Sequence, residues 1–159
     1  METRSDVGSL IYTGAYAMKI LVASDGSEHA LRAVQYAAQM ARLMRTAHNR
    51  ITLISVHDDA GLRHAKSLLG GREIADYLRE LSETELRPAS ALLKAAEVEY
   101  DMEIRTGPVA QEIVRCADEG NFDMIVVGSK GRGAMADLLI GSVAQRVLAH
   151  SSKPVVVVK

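Results

Sequence analysis

The residues that offer the clearest chemistry form one short segment, Gly128, Ser129, Lys130, Gly131, Arg132 and Gly133. Its three glycines allow backbone N–H groups to turn toward a ligand, and its two cations can balance the charge of a phosphate. The composition therefore predicts a local anion-binding loop. The alternative is a structural turn that carries two solvated charges, because glycines after a strand are often only turn formers.

This segment matches neither of the two common nucleotide-binding motifs. A Walker A loop needs four residues between its first glycine and a Gly-Lys-Ser/Thr triplet, and that arrangement is missing. In the dinucleotide-binding pattern the glycines would follow the first strand, whereas this segment follows the fourth predicted strand. The residues alone thus indicate an anion site without naming the anion.

Two further polar groups follow predicted strands. Asp25-Gly26-Ser27 comes after the first strand, where Asp25 can face a ligand or the three residues can serve as a turn in which Ser27 caps the next helix. His57 and the two aspartates after it end the second strand and are candidates for metal ligation. Because these neighbours point in different directions and no helical His pair supports them, we expect no metal held by protein ligands alone.

Five short apolar runs are predicted to be strands, at residues 19–24, 51–57, 98–104, 123–128 and 154–158. In the third run apolar and charged residues alternate, which is typical of a strand at a sheet edge. Amphipathic patterns predict helices from Ser27 to about Ala47, between Ile74 and Ala96, from Pro108 to Ala117 and from Val143 to Leu148. Pro88 either kinks the second of these helices or divides it, and residues 58–71 carry no readable pattern.

The order of these elements predicts an α/β fold with a single open parallel sheet and helices on both faces. In such a sheet, ligands bind beyond the carboxyl ends of the strands, where the connections diverge to opposite faces. The loops after the first and fourth strands are therefore the predicted site. They carry Asp25 and the glycine-rich segment.

The bulk composition predicts one ordinary domain. A length of 159 residues suits a single core, with residues 1–17 as a loose extension and residues 18–159 as the folded domain. A net charge of −1 gives no general attraction to nucleic acid or to an acidic membrane, and no apolar run approaches the roughly 20 residues of a membrane span. The lone Cys116 lies in a helical pattern and predicts a buried thiol and a reducing, cytoplasmic location.

The spacing of the glycines resembles a known family signature. Gly128, two residues, Gly131, nine residues and then Gly141-Ser142 is similar to the ATP-binding signature of the universal stress protein family. The similar frame covers nearly all of residues 18–159, including MKILVASDGSEHALRA at 18–33 and GSVAQRVLAHSSKPVVVV at 141–158. The resemblance implies a five-stranded sheet of order 3-2-1-4-5, as in adenine nucleotide alpha hydrolase-like folds. It also implies ATP as the ligand. The last strand, Pro154 to Val158, would lie at an exposed edge of this sheet, and its unpaired backbone groups predict a symmetric homodimer across that edge, as is usual in the family.

The resemblance also implies roles for single residues. Asp25 resembles the family's carboxylate that faces the nucleoside, and Val56 resembles the residue whose backbone meets adenine. The resemblance implies that the phosphates and the ribose are bound by Gly128, Gly131, Gly141 and Ser142. The predicted site is Ala23, Ser24, Asp25, Val56, Gly128, Ser129, Lys130, Gly131, Arg132, Gly133, Gly141, Ser142 and Val143.

The predicted function is an ATP-binding regulatory protein of the stress response, with Mg²⁺ arriving on the nucleotide and held mostly by phosphates and water. One alternative is a slow ATPase or self-phosphorylating enzyme, in which Ser142 or Ser129 receives phosphate or Asp25 activates a water. The absence of a Walker lysine, an arginine finger and a paired general base weakens it. A second alternative is a dimeric interaction module with a vestigial pocket.

Overall fold

Five parallel strands form an open sheet in the computed structural model, which describes residues 17–44, 49–62, 67–68, 70–133 and 139–159. Each strand comes from one of the predicted apolar runs: β1 Lys19–Ala23, β2 Arg50–His57, β3 Tyr100–Thr106, β4 Met124–Gly128 and β5 Val155–Val158. Their order is β3-β2-β1-β4-β5, and every pair of neighbours is parallel. The predicted fold class and strand order are confirmed.

Helices connect the strands and cover both faces of the sheet. They are α1 Glu28–Leu43, α2 Gly71–Ala95, α3 Val109–Glu119 and α4 Ser142–His150, with a short 3₁₀ turn at Ala60–Leu62. None of the helices in the described ranges is long and apolar enough to cross a membrane.

The strand residues alternate between two cores. Ile20 and Val22 of β1 pack with α1 and α2 on one face, while Leu21 packs with α3 and α4 on the other. Ile20, Val22 and Leu21 are fully buried because both sides of the sheet are covered, and this is why β1 reads as a continuous apolar run.

Several element boundaries differ slightly from the predicted ones. The helix that follows Ser27 ends at Leu43 with Met44 as its C-cap, and residues 45–47 of its predicted extent lie outside the described residues. The third strand begins at Tyr100 rather than at Val98, because the Val98 amide still donates a hydrogen bond of 3.1 Å to the Leu93 carbonyl at the end of α2. Pro108 precedes α3 as its N-cap residue and is not the first helical residue.

Pro88 does not divide its helix, since α2 runs unbroken from Gly71 to Ala95. A proline in a helix leaves the carbonyl four residues earlier without its N–H partner, here the carbonyl of Thr84. Thr84 and Pro88 are both exposed, so water can hydrate that carbonyl. An exposed position thus lowers the cost of a proline inside this helix.

Cys116 lies in α3 and is buried, as its helical pattern predicts. Burial raises the pKa of its thiol and outweighs the opposing effect of the nearby Arg105 charge. The thiol is therefore a packing group in this fold.

Candidate functional site

A cavity of about 570 Å³ opens beyond the carboxyl ends of the central strands. The connection after β1 leads to α1 on one face, and the connection after β4 leads to α4 on the opposite face. This divergence leaves a crevice at the point where an open parallel sheet usually binds its ligand. The volume lies within the range of small-molecule sites.

All of the predicted site residues line this one cavity. Its wall takes residues from the end of β1, the end of β2, the loop after β4 and the start of α4: Ala23, Ser24, Asp25, Val56, Gly128, Ser129, Lys130, Gly131, Arg132, Gly133, Gly141, Ser142 and Val143. The structure thus brings together segments that are far apart in the sequence.

The sequence reasoning missed most of the apolar wall. Alongside Val56, the cavity is lined by side chains that read as ordinary core positions: Ala30, Ile54, Val109, Ile113, Val127 and Ala144. His57 and Asp58, which the sequence suggested only as metal candidates, also line it. The apolar residues at the ends of β2 and β4 were a usable signal, because a strand that ends at a site contributes its last inward-facing residues to it.

Asp25 ties the loop after β4 to the loop after β1. Its Oδ1 accepts a hydrogen bond of 3.0 Å from the Ser27 amide, and its Oδ2 accepts one of 3.0 Å from the Arg132 amide. Burial alone would raise the pKa of Asp25, but the hydrogen bonds from Ser27 and Arg132 and the Arg132 charge lower it overall. The carboxylate is therefore charged and already engaged with two backbone amides.

Gly131 allows this contact because it has no side chain. A Cβ at this position would lie 2.8 Å from Oδ2 of Asp25, closer than a carbon atom can approach. A larger residue would push the carboxylate away from the Arg132 amide. Gly131 thus shapes the loop through Asp25 as well as leaving space for a ligand.

Gly128 has a structural role that the sequence did not reveal. A Cβ there would lie 2.6 Å from the carbonyl carbon of His29 and 2.8 Å from the amide nitrogen of Ala30. The first turn of α1 therefore packs directly on the end of β4. This close packing places the N-terminus of α1 beside the cavity.

The loop is anchored at both ends by backbone hydrogen bonds. The Ser129 amide donates to the Val158 carbonyl at 2.6 Å, and the Gly141 amide donates to the Ser129 carbonyl at 2.6 Å. Gly141 is the N-cap of α4 and provides no side-chain cap. Amides in the first turn of α4, beside Ser142, are consequently available to an anion in the cavity.

Glu85 of α2 is a charged residue of this region that the sequence reasoning did not single out. Its Oε1 forms an ion pair with the Arg132 guanidinium, and its Oε2 lies 2.9 Å from Nε2 of His57. The side chain is only 6% exposed. The sequence does contain a signal for Glu85, because it lies on the apolar stripe of α2 with Leu78, Leu86 and Ala89. Acidic residues are almost never buried without a partner.

The site contains no protein cage for a metal in the residues that the structure describes, where no group of three or more His, Cys, Asp or Glu side chains is close enough to hold one. The cavity wall combines polar and apolar groups. Backbone amides of α4 and Lys130 lie at one end, and apolar side chains such as Ile54 and Val109 lie along its wall.

The fold and the cavity define an open parallel α/β protein whose site lies where the strand connections diverge. Within that class, the sequence model of the Universal stress protein family matches residues 17–159. This chain belongs to the universal stress protein family, which confirms the resemblance seen in the glycine spacing.

Relatives and solved structures agree with this membership. Universal stress protein MJ0531 of Methanocaldococcus jannaschii is 30% identical over 141 residues, which cover 89% of this chain and 81% of the relative. The solved structure of MJ0577 superposes with a TM-score of 0.76 at 27% identity and covers 89% of this chain and 95% of that one. A universal stress protein solved in complex with cAMP has a TM-score of 0.63 at 26% identity, covering 89% and 96%.

Proposed function

We propose that the cavity binds an adenine nucleotide, namely ATP, and that the protein acts as a nucleotide-dependent regulator in the stress response. The proposal rests on one observation: a single continuous cavity has two walls of different chemistry. One wall is a glycine-rich loop beside the start of α4, which lacks a side-chain cap, and the other consists of aliphatic side chains at the end of β2 and the start of α3. A molecule that complements both has an anionic end and an apolar end.

The two walls suggest how ATP lies in the cavity. The base packs between Val56, Ile54 and Val109, and the phosphates face the loop and the amides at Ser142. Asp25 follows β1, which lies between β2 and β4 in the sheet, and its charged carboxylate can accept a hydrogen bond from a ribose hydroxyl. Mg²⁺ bound to the phosphates would reduce the repulsion between Asp25 and the triphosphate. The solved relative that binds cAMP supports an adenine nucleotide as the ligand class.

Binding without turnover is the function that the site geometry favours. An effective general base has a pKa near the working pH, whereas the pKa of Asp25 is lowered and both of its oxygens accept backbone N–H groups. A slow ATPase or a self-phosphorylating enzyme would need a proton acceptor beside Ser129 or Ser142. Asp25 is a poor candidate for that role.

Titration calorimetry with ATP and Mg²⁺, followed by chromatography of the nucleotide after long incubation, tests the proposal. We expect saturable binding with ATP left intact. ADP that grows with time would replace the regulatory function with an enzymatic one. No heat of binding at millimolar ATP would overturn the nucleotide proposal and leave a dimeric interaction module with a vestigial pocket as the better account.

A further inference from the structure

Glu85 is a buried carboxylate behind the glycine-rich loop and is not itself part of the cavity wall. Its two oxygens have different partners: Oε1 pairs with the Arg132 guanidinium, and Oε2 contacts Nε2 of His57 at 2.9 Å and the Ser55 hydroxyl at 3.4 Å. A carboxylate that is 6% exposed needs such partners, because burying an unpaired charge is strongly unfavourable. His57 and Ser55 both contact Oε2, so Glu85 keeps these two partners independently of its pairing with Arg132.

Arg132 is the partner that can move. Its side chain is 53% exposed and lines the cavity, whereas its backbone amide is fixed by the 3.0 Å hydrogen bond to Asp25. The guanidinium can consequently rotate between Glu85 and the cavity without any change in the loop backbone. Arginine recognises carboxylates and phosphates with the same fork of N–H donors.

A guanidinium that neutralises Glu85 cannot offer its full charge to a ligand. A phosphate group in the cavity must therefore compete with Glu85 for Arg132. The competition matters most for a ligand with several phosphate charges and not at all for one without any, because only the phosphates gain from an additional cation.

We propose that Glu85 is a specificity-determining residue that sets the preference of the cavity among adenine nucleotides according to their phosphate charge. By pairing with Arg132, Glu85 keeps the guanidinium from the phosphates. The affinity for ATP is thereby lowered relative to the affinities for AMP and adenosine. The inference rests on the proposed nucleotide-binding function.

Replacing Glu85 by glutamine tests this role. Glu85→Gln keeps the size of the side chain and its hydrogen bonding to His57 and Ser55, but it removes the charge that attracts Arg132. We expect titration calorimetry to show about tenfold tighter binding of ATP, which is 1.4 kcal/mol, a smaller gain for AMP and no change for adenosine. Glu83→Gln on the exposed side of the same helix makes the same change in net charge, and it should alter none of the three affinities.

Removing Arg132 shows whether the effect passes through the proposed ion pair. In an Arg132→Gln background, Glu85→Gln should lose most of its gain in ATP affinity. If Glu85→Gln fails to fold, Glu85→Asp shortens the carboxylate while keeping its charge, and it should still raise the ratio of ATP affinity to adenosine affinity.

The outcomes separate this inference from the proposed function. Parent protein that binds none of the three ligands at millimolar concentration would overturn both. Parent protein that binds ATP, together with Glu85 variants that leave the ATP-to-adenosine ratio unchanged, would overturn only the role of Glu85. A gain of equal size in the Arg132→Gln background would overturn it as well.

Discussion

Asp25 connects the two loops of the site by hydrogen bonds. It accepts hydrogen bonds from the amides of Ser27 and Arg132, which lie in different connections of the sheet. These bonds stabilise the ionised form in the folded protein, so the pKa of Asp25 is lower there than in the unfolded chain. Folding stability is therefore linked to the charge of this one carboxyl group.

Asp25→Asn should accordingly reduce stability in a pH-dependent way. A carboxyl with a lowered folded pKa contributes stability above its unfolded pKa of about 3.9, and the contribution is lost as pH falls through the folded value. In urea unfolding at a series of pH values, we expect the variant to be less stable than the parent at pH 7 and the two to converge toward acidic pH. Asp76→Asn on the exposed face of α2 is the control, and a gap for Asp25→Asn that stays constant with pH would contradict the linkage.

Gly131→Val should abolish ATP binding while leaving the fold intact. A Cβ at Gly131 would meet Oδ2 of Asp25 at 2.8 Å, so the added side chain displaces the carboxylate and crowds the loop. Gly61→Val is a matched control, because Gly61 does not line the cavity and a Cβ there meets nothing within 4 Å. Calorimetry should show loss of ATP binding only for Gly131→Val, with similar far-UV circular dichroism for both variants. Normal ATP affinity in the first variant would remove the loop from the site.

The composition of the site could be predicted from the sequence, but its side-chain pairing could not. Glycines, Asp25 and the two loop cations lie next to strand ends, and parallel strands bring their carboxyl ends to the same edge. The ion pair between Arg132 and Glu85 spans 47 positions and depends on a rotamer of each side chain. Neither hydrophobic periodicity nor turn chemistry carries that information.

Among the secondary-structure elements, the contact between α1 and β4 determines how the site is framed. The first turn of α1 packs so closely against Gly128 that its backbone atoms lie only 2.6 to 2.8 Å from the position of a Cβ. This contact fixes the start of α1 beside the loop after β4. Such proximity is possible only where one partner lacks a side chain.

Gly128→Ala should therefore destabilise the protein by about 1–3 kcal/mol, the usual cost of overpacking a rigid contact. The expected measurement is a lower urea midpoint with an unchanged slope, since the variant remains a two-state domain. Gly71→Ala is the control of opposite sign: a Cβ at Gly71 meets nothing within 4 Å, and alanine is preferred over glycine in a helix such as α2. Equal stability of Gly128→Ala and the parent would mean that α1 can shift without cost.

The types of the elements were predictable because their patterns are long and regular. Buried strands such as β1 read as continuous apolar runs, and α1 shows both a stripe of small apolar residues and a serine cap. Two structural features could not be predicted from the sequence patterns. Pro88 continues a helix because it faces water, and the 3₁₀ turn at Ala60–Leu62 lies in a region without periodicity. Solvent exposure and irregular turns depend on the folded context rather than on local sequence.

In the molecule as a whole, the two edges of the sheet differ. The strand β3 carries charged residues such as Asp101 and Glu103 between its apolar ones, and such charges discourage pairing with another sheet. The strand β5 is Val155–Val158, and its four valines are only partly buried. We propose a homodimer through this last strand, Pro154 to Val158, because an apolar edge with unpaired backbone groups favours a symmetric partner.

The direction of the backbone groups in β5 allows a selective test of this dimer. The Pro154 carbonyl accepts a hydrogen bond from the Ile125 amide of β4, and the Val158 carbonyl accepts one from the Ser129 amide just after β4. By alternation, the N–H of Val157 therefore points to the open edge. Val157→Pro removes that donor and spares the pairing with β4. Sedimentation velocity over a range of concentrations should show a dimer for the parent and a folded monomer for Val157→Pro. Val157→Ala, which keeps the N–H, should remain dimeric; a Val157→Pro dimer of unchanged stability would place the interface elsewhere.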